Sequence, residues 1–225
     1  MSNALVCLNL RDFMPSHVRE SFSLAARKWG AEYVEITEPL GDMHHFWQKA
    51  LIPLSRYAVG FDRILQLDCD MLIRSDCPSL FALVPNSRFG AVSQVQHKIP
   101  SRHVDAHKQE WAALMGLVPY PRQRLQANLG LIVYSPTVHR PLLEEWQETG
   151  LRCNYYWVKG MPPEQFALSC LLYSMRIPMR WLPWKFNAIR AQRQPSGIIR
   201  TPIAHFCGSR GRLREIVDQY EWIVP

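Results

Sequence analysis

No run of about 18 consecutive apolar residues interrupts these 225 residues, so no membrane-spanning helix is expected. Met1-Ser2-Asn3-Ala4 leads directly into Leu5-Val6-Cys7-Leu8, without a basic segment or the long apolar core of a secretory leader. The cytosol is therefore the expected compartment. The six cysteines (Cys7, Cys69, Cys77, Cys153, Cys170, Cys207) include no close Cys-x-x-Cys pair, which disfavours a disulfide framework or a zinc site. Thiols in apolar surroundings pack instead as small hydrophobes. The first apolar stretch ends in Asn9-Leu10-Arg11-Asp12, not in a glycine-rich loop; with no GxGxxG and no Walker sequence, a dinucleotide site or a P-loop is not supported. Internal repeats, low-complexity tracts and long linkers are also missing, so one domain over 1–225 is expected.

What is present is ordinary in bulk. Hydrophobic residues make up 48% of the chain and charged residues 20%, the balance of a globular protein. The formal charge of +7 favours anionic partners: nucleotide phosphates, acidic glycans, anionic lipid headgroups or nucleic acid.

Residues 4–10 read as a buried strand, Pro15 opens a helix reaching about Trp29, and Ala31 to Ile36 form a second strand. This βαβ start predicts a parallel sheet and an α/β fold. A helix is expected over 43–58, with Pro53 as a kink and Lys49 able to reach a nucleotide; a solvated lysine is equally compatible with that position. Pro78 to Leu83 predicts a short helix and Phe89 to Val95 a strand. Residues 96–124 mix a helix near Asp105–Met115 with loop; His97, His103 and His107 match no zinc spacing. Gln126 to Pro136 predicts a strand, 137–149 an amphipathic helix ending at Gly150, and 164–174 a helix with Glu164 in its first turn, where a carboxylate suits the helix dipole. A basic loop spans Arg190 to Pro202, Ile203 to Gly208 reads as strand and turn, and a last helix reaches Tyr220.

The sharpest local signal is Arg63-Ile64-Leu65-Gln66-Leu67-Asp68-Cys69-Asp70-Met71-Leu72-Ile73. In an extended chain positions i and i+2 share a face. Asp68 and Asp70 can then point at one spot at a strand's carboxyl end, where open α/β sheets take ligands. Asp-x-Asp alone is more often a solvated turn. Within a continuous apolar run, though, two half-buried carboxylates repel one another unless a cation joins them. Hard divalent ions take such oxygen ligands, and a diphosphate would complete the shell.

The order of several such blocks resembles the family 8 glycosyltransferases of the GT-A fold. Asp68-Cys69-Asp70 with Leu80-Phe81 is similar to that family's Asp-x-Asp strand and following helix, and Asn128-Leu129-Gly130 to its Asn-x-Gly strand. Glu164-Gln165 resembles its Asp-Gln pair, Leu182-Pro183 to Asn187 its Leu-Pro…Asn segment, and His205-Phe206-Cys207-Gly208 its His-Phe-x-Gly turn. Two departures stand out: Glu164 is one methylene longer than aspartate, and the lysine-proline-tryptophan that often follows the histidine turn is missing. The acceptor region, roughly 96–124 and 150–162, carries nothing comparable.

The resemblance implies a mixed, mostly parallel sheet flanked by helices. A nucleotide-binding half (about 1–95) would join an acceptor and sugar half (about 96–225). It implies that Asp68, Asp70 and His205 hold Mn²⁺ or Mg²⁺, the mixed oxygen and imidazole set suiting Mn²⁺. The donor would be a nucleotide-diphosphate sugar, by family habit a UDP-sugar. Asn128, Glu164 and Gln165 would line the sugar pocket, Asn9 and Asp12 would meet base and ribose, and Lys49, Arg210 and Arg212 the phosphates. Transfer with retention is implied; Glu164 would act as general base if the enzyme inverts. A glycan or glycolipid acceptor, with peripheral contact to the inner, anionic face of a membrane, suits the charge. Two other readings remain: a GT-A-like protein that only binds nucleotide sugars, and a basic nucleic-acid-binding protein using Arg190, Arg193, Arg200, Arg210, Arg212 and Arg214.

Overall fold

The computed structural model describes residues 1–10, 13–94, 102–121, 125–154, 162–189 and 201–206, with 102–107 as backbone only. Its centre is a six-stranded sheet in the order β2-β1-β3-β6-β5-β7: β1 is Asn3–Leu8, β2 Ala31–Ile36, β3 Arg63–Asp68, β5 Phe89–Ser93, β6 Ala127–Tyr134 and β7 Met179–Leu182. β1 runs parallel to β2 and β3, and β5 parallel to β7; β6 alone is reversed. A second, two-stranded sheet pairs β4 (Met71–Ile73) with β8 (Ile203–His205), antiparallel.

Alternation along the strands makes two apolar layers. Ala4, Val6, Ile64, Leu129 and Ile132 face a core containing Trp47, the residue before α2 (Gln48–Leu51), with Trp146 from α5 (Arg140–Cys153) and Phe166 from α6 (Pro163–Ser174). The same core takes Trp111 from α4 (Arg102–Met115). Leu5, Cys7, Leu65, Leu67 and Val133 face the other way, onto Val18 and Phe22 of α1 (Ser16–Lys28) and Phe81 of α3 (Leu80–Leu83). Strands buried on both faces read as continuous apolar runs, as in Ile64-Leu65 and Leu131-Ile132-Val133.

Three expectations change. The helix expected over 43–58 is only one turn, α2, followed by the 3₁₀ turn Ile52–Leu54. Pro53 has no N–H to donate and its ring opposes the carbonyl four residues back, so the chain tightens instead of extending α2. The helix expected to stop at Gly150 runs through it to Cys153. There the glycine serves packing, since a Cβ would stand 2.5 Å from Met43 Cε and 2.7 Å from Trp47 Cε3. Finally, the Asp-x-Asp stretch is not one strand. β3 ends at Asp68, Cys69 and Asp70 form a turn, and β4 leaves the main sheet to pair with β8.

Candidate metal and donor site

The turn at Cys69-Asp70 is what assembles the site. Pairing of β4 with β8 sets Met71 opposite His205, and the Phe206 N–H donates to the Asp70 carbonyl at 2.9 Å. His205 is thereby brought to the two aspartates from far along the chain. Its Nε2 lies 3.2 Å from Asp70 Oδ1 and 3.6 Å from Asp68 Oδ2. One ligand atom from each of the three falls within 4.8 Å of the others. The aspartates are half-buried and the imidazole is 3% exposed.

A chain of amides fixes which imidazole nitrogen is free. The Gly130 N–H donates to Asn128 Oδ1 (2.8 Å), so that atom is the oxygen; it also accepts from Asn187 Nδ2 (2.7 Å). Asn187 Oδ1 is then an acceptor, and His205 Nδ1–H donates to it at 2.8 Å. In the neutral imidazole the lone pair sits on Nε2, facing the carboxylates with no hydrogen-bond donor of its own. A buried, orphaned imidazole nitrogen beside two carboxylate oxygens is the donor set for a divalent cation, and the Asn187 contact is the usual support of a ligating histidine. The residues fit the ion. Glycine at 130 leaves the room: a Cβ there would lie 2.6 Å from His205 Cε1. Without an ion, burial works against the imidazolium, but Asp70 and then Asp68 outweigh it and hold the His205 pKa above its usual value.

Lys49 projects from α2 to the same carboxylates, its Nζ 2.5 Å from Asp68 Oδ1. Glu164, at the first turn of α6, is 1% exposed, and its Oε2 has no hydrogen-bond partner. Burial pushes its pKa up to about 8 against the pull of Lys49. Trp146 Nε1–H anchors that turn by donating to the Glu164 carbonyl at 3.0 Å. Gln165 Oε1 accepts the Leu129 N–H (3.1 Å), tying α6 to the strand that carries Asn128.

Asn128 is engaged at both ends, its Nδ2 donating to Gln94 Oε1 at 2.6 Å. Through Asn187 its amide oxygen helps orient His205, a role beside the sugar contact expected from the sequence. Asn9, just past β1, is buried: Nδ2 donates to Glu35 Oε1 (2.8 Å), and Oδ1 accepts the N–H groups of Phe13 and Met14. Its side chain holds the turn after β1, the capping role open to an asparagine there. Hydrogen bonds from Arg19 above all keep the adjacent Glu35 carboxyl at about 2. Asp12, Arg210 and Arg212 lie outside the described residues. Two site residues had no assigned role in the sequence, Asn187 and Gln94; the signal for the first was the Leu-Pro…Asn segment.

All of this gathers at one edge of the sheet. β1 and β3 end there in register (Leu8 beside Asp68), β5 ends at Ser93 before Gln94, and the reversed β6 begins there with Ala127-Asn128. Several solved glycosyltransferases share this fold. The chain superposes on one involved in glycosylation of the major capsid of PBCV-1 with a TM-score of 0.61 at 18% identity, over 96% of this chain and 99% of that one. The fold is GT-A. Mouse xyloside xylosyltransferase 1 gives 0.55 at 12% identity over 93% and 99%, and the galactosyltransferase LgtC, solved with donor and acceptor sugar analogues, 0.50 at 14% over 100% and 98%. No family model matches the chain, and no curated protein matches it by sequence. The GT-A likeness, at these identities, speaks for the fold.

Proposed function

We propose that this protein is a metal-dependent glycosyltransferase of the family 8 kind. It moves a hexose from a nucleotide-diphosphate sugar, a UDP-sugar, to a hydroxyl of a glycan or glycolipid acceptor. The observation that carries the reading is His205 Nε2, buried and facing Asp68 and Asp70 at the ligand edge of a GT-A sheet.

Asp68, Asp70 and His205 hold Mn²⁺ or Mg²⁺, which when bound neutralises charge developing on the leaving diphosphate. Lys49 adds a second cation on the same side, available to a phosphate or sugar oxygen when Asp68 is taken up by the ion. Glu164, kept in its acid form below about pH 8 by burial, donates a hydrogen bond into the sugar pocket. A protonated carboxyl is a poor general base. This supports retention through front-face departure, in which the leaving phosphate oxygen takes the acceptor proton, over inversion with Glu164 as base. Gln165 and Asn128 set the pocket wall and the imidazole orientation, and Asn9 shapes the turn beside the base and ribose.

Calorimetric titration of UDP with Mn²⁺ and with chelator, on the wild type and Asp70→Ala, tests the reading. Binding that needs both metal and Asp70, followed by hydrolysis of a UDP-sugar, supports it. No nucleoside diphosphate binding in either condition sinks it. Metal-dependent binding without hydrolysis or transfer of any nucleotide sugar would leave a binding protein instead.

A further inference from the structure

The positive charge of this chain is concentrated. From Gln165 to Arg214 there are fifty consecutive residues with no Asp or Glu and nine Arg or Lys, so the rest of the chain carries a small net negative charge. Within its described part, Arg176 to Lys185 follows one margin of the main sheet. β7 is an edge strand of the main sheet, and Arg176, Arg180 and Lys185 are exposed along it. Arg88, also exposed, joins them by donating to the Met179 carbonyl at 3.2 Å. None of these four bases is ion-paired among the described residues.

Apolar groups are exposed among the bases. Trp184 is 50% exposed, Tyr173 41% and Met175 37%. Trp184 and Lys185 occupy the 3₁₀ turn Trp184–Phe186, and the next residue is Asn187, which supports His205. An edge strand can be guarded by prolines and charges alone, and Pro178, Pro183 and Arg180 meet that need. A guard does not call for a half-exposed indole beside a lysine next to the site. Indole with neighbouring bases is the composition of a bilayer headgroup boundary. Single-stranded nucleic acid asks for successive exposed rings along a groove. Here the intervening Trp181 packs against the core, and the exposed rings stand at the two ends.

We propose that this margin, Arg176 to Lys185 with Arg88, docks on an anionic lipid bilayer, with Trp184 entering the headgroup layer. The docking is independent of the transfer reaction. Where both hold, the bilayer lies beside the donor site and the acceptor is lipid-linked.

The test is co-sedimentation of the full chain with phosphatidylcholine vesicles and with vesicles doped with phosphatidylglycerol. The wild type is compared with Trp184→Ala, Arg180→Glu and Lys185→Glu, all at exposed positions, each checked for an unchanged melting temperature. Binding to the doped vesicles alone is expected, weakening roughly fivefold or more for each base reversed and falling in Trp184→Ala. Brominated lipid should quench tryptophan fluorescence less in Trp184→Phe than in the wild type. The proposal is overturned by no binding to doped vesicles, or by binding that Trp184→Ala leaves intact with no Trp184-dependent quenching. Capture of a single-stranded oligonucleotide in place of vesicles, abolished by the same charge reversals, would assign the surface to nucleic acid.

Discussion

Lys49 Nζ sits 2.5 Å from Asp68 Oδ1, so a carboxylate suited to a divalent ion already holds a cation of the chain's own. Burial opposes the Lys49 charge, yet Asp68, Glu164 and Asp70 together outweigh it and keep its pKa raised. The site is thereby partly neutralised when no ion is bound. Lys49→Met is expected to cost the metal-free protein about 1–2 kcal/mol and to enlarge the rise in melting temperature on adding Mn²⁺. Thermal unfolding with Mn²⁺ and with chelator reads both, and an unchanged metal-induced shift would separate Lys49 from the site.

Glu164 gives the fold an unusual pH dependence. Its folded pKa of about 8 stands above the 4.5 expected of an unfolded glutamate, so the folded state binds more protons between those values. Stability from this group is present at low pH and falls as pH rises through that window, by at most about 1.4 kcal/mol per unit. Glu164→Gln, which keeps the shape without the proton, should flatten the decline between about pH 5 and 8. Denaturant unfolding across that range would show no difference between the two proteins if Glu164 titrates normally.

The Asn187–His205 contact should govern metal affinity without touching the metal. Asn187→Leu removes the acceptor that holds the proton on Nδ1 and is expected to weaken Mn²⁺ binding about 10- to 100-fold. Imidazole ¹⁵N shifts, measured without metal at a pH high enough to leave the ring neutral, should move from the Nδ1–H tautomer toward a mixture. A variant that loses affinity while the tautomer stays fixed would assign Asn187 a purely packing role.

Gly150 lies inside α5, where alanine would normally help a helix. Here a Cβ meets the Trp47 ring at 2.7 Å, so Gly150→Ala is expected to destabilise by about 1–3 kcal/mol. Equilibrium unfolding decides it, because an ordinary helical glycine would give a gain of a few tenths to 1 kcal/mol.

Much of the first half of the chain was legible in local pattern. The βαβ opening appears as expected, with Ser16–Lys28 between parallel Asn3–Leu8 and Ala31–Ile36, because period and capping residues are set by neighbours in sequence. Asp68 and Asp70 were legible as a pair for the same reason, and His205 by the residues after it. The shape of the pair was not. Extended-chain geometry put both on one strand, whereas the chain turns at Cys69-Asp70 because Met71–Ile73 finds its partner in Ile203–His205, a contact no local torsion encodes.

The sequence by itself determined which residues can bear charge, ligate or bend, and which stretches must be buried. Tertiary structure decided what each of them meets. Asn128 carries an amide that can turn either way; the Gly130 N–H and Asn187 fixed its orientation. Glu164 could have been an ordinary first-turn carboxylate; burial raised its pKa against the pull of Lys49. Gly150 read as a helix stop until Trp47 packed against it. In each case the side chain's chemistry is a local property, while its partner and dielectric surroundings exist only once distant segments have closed around it.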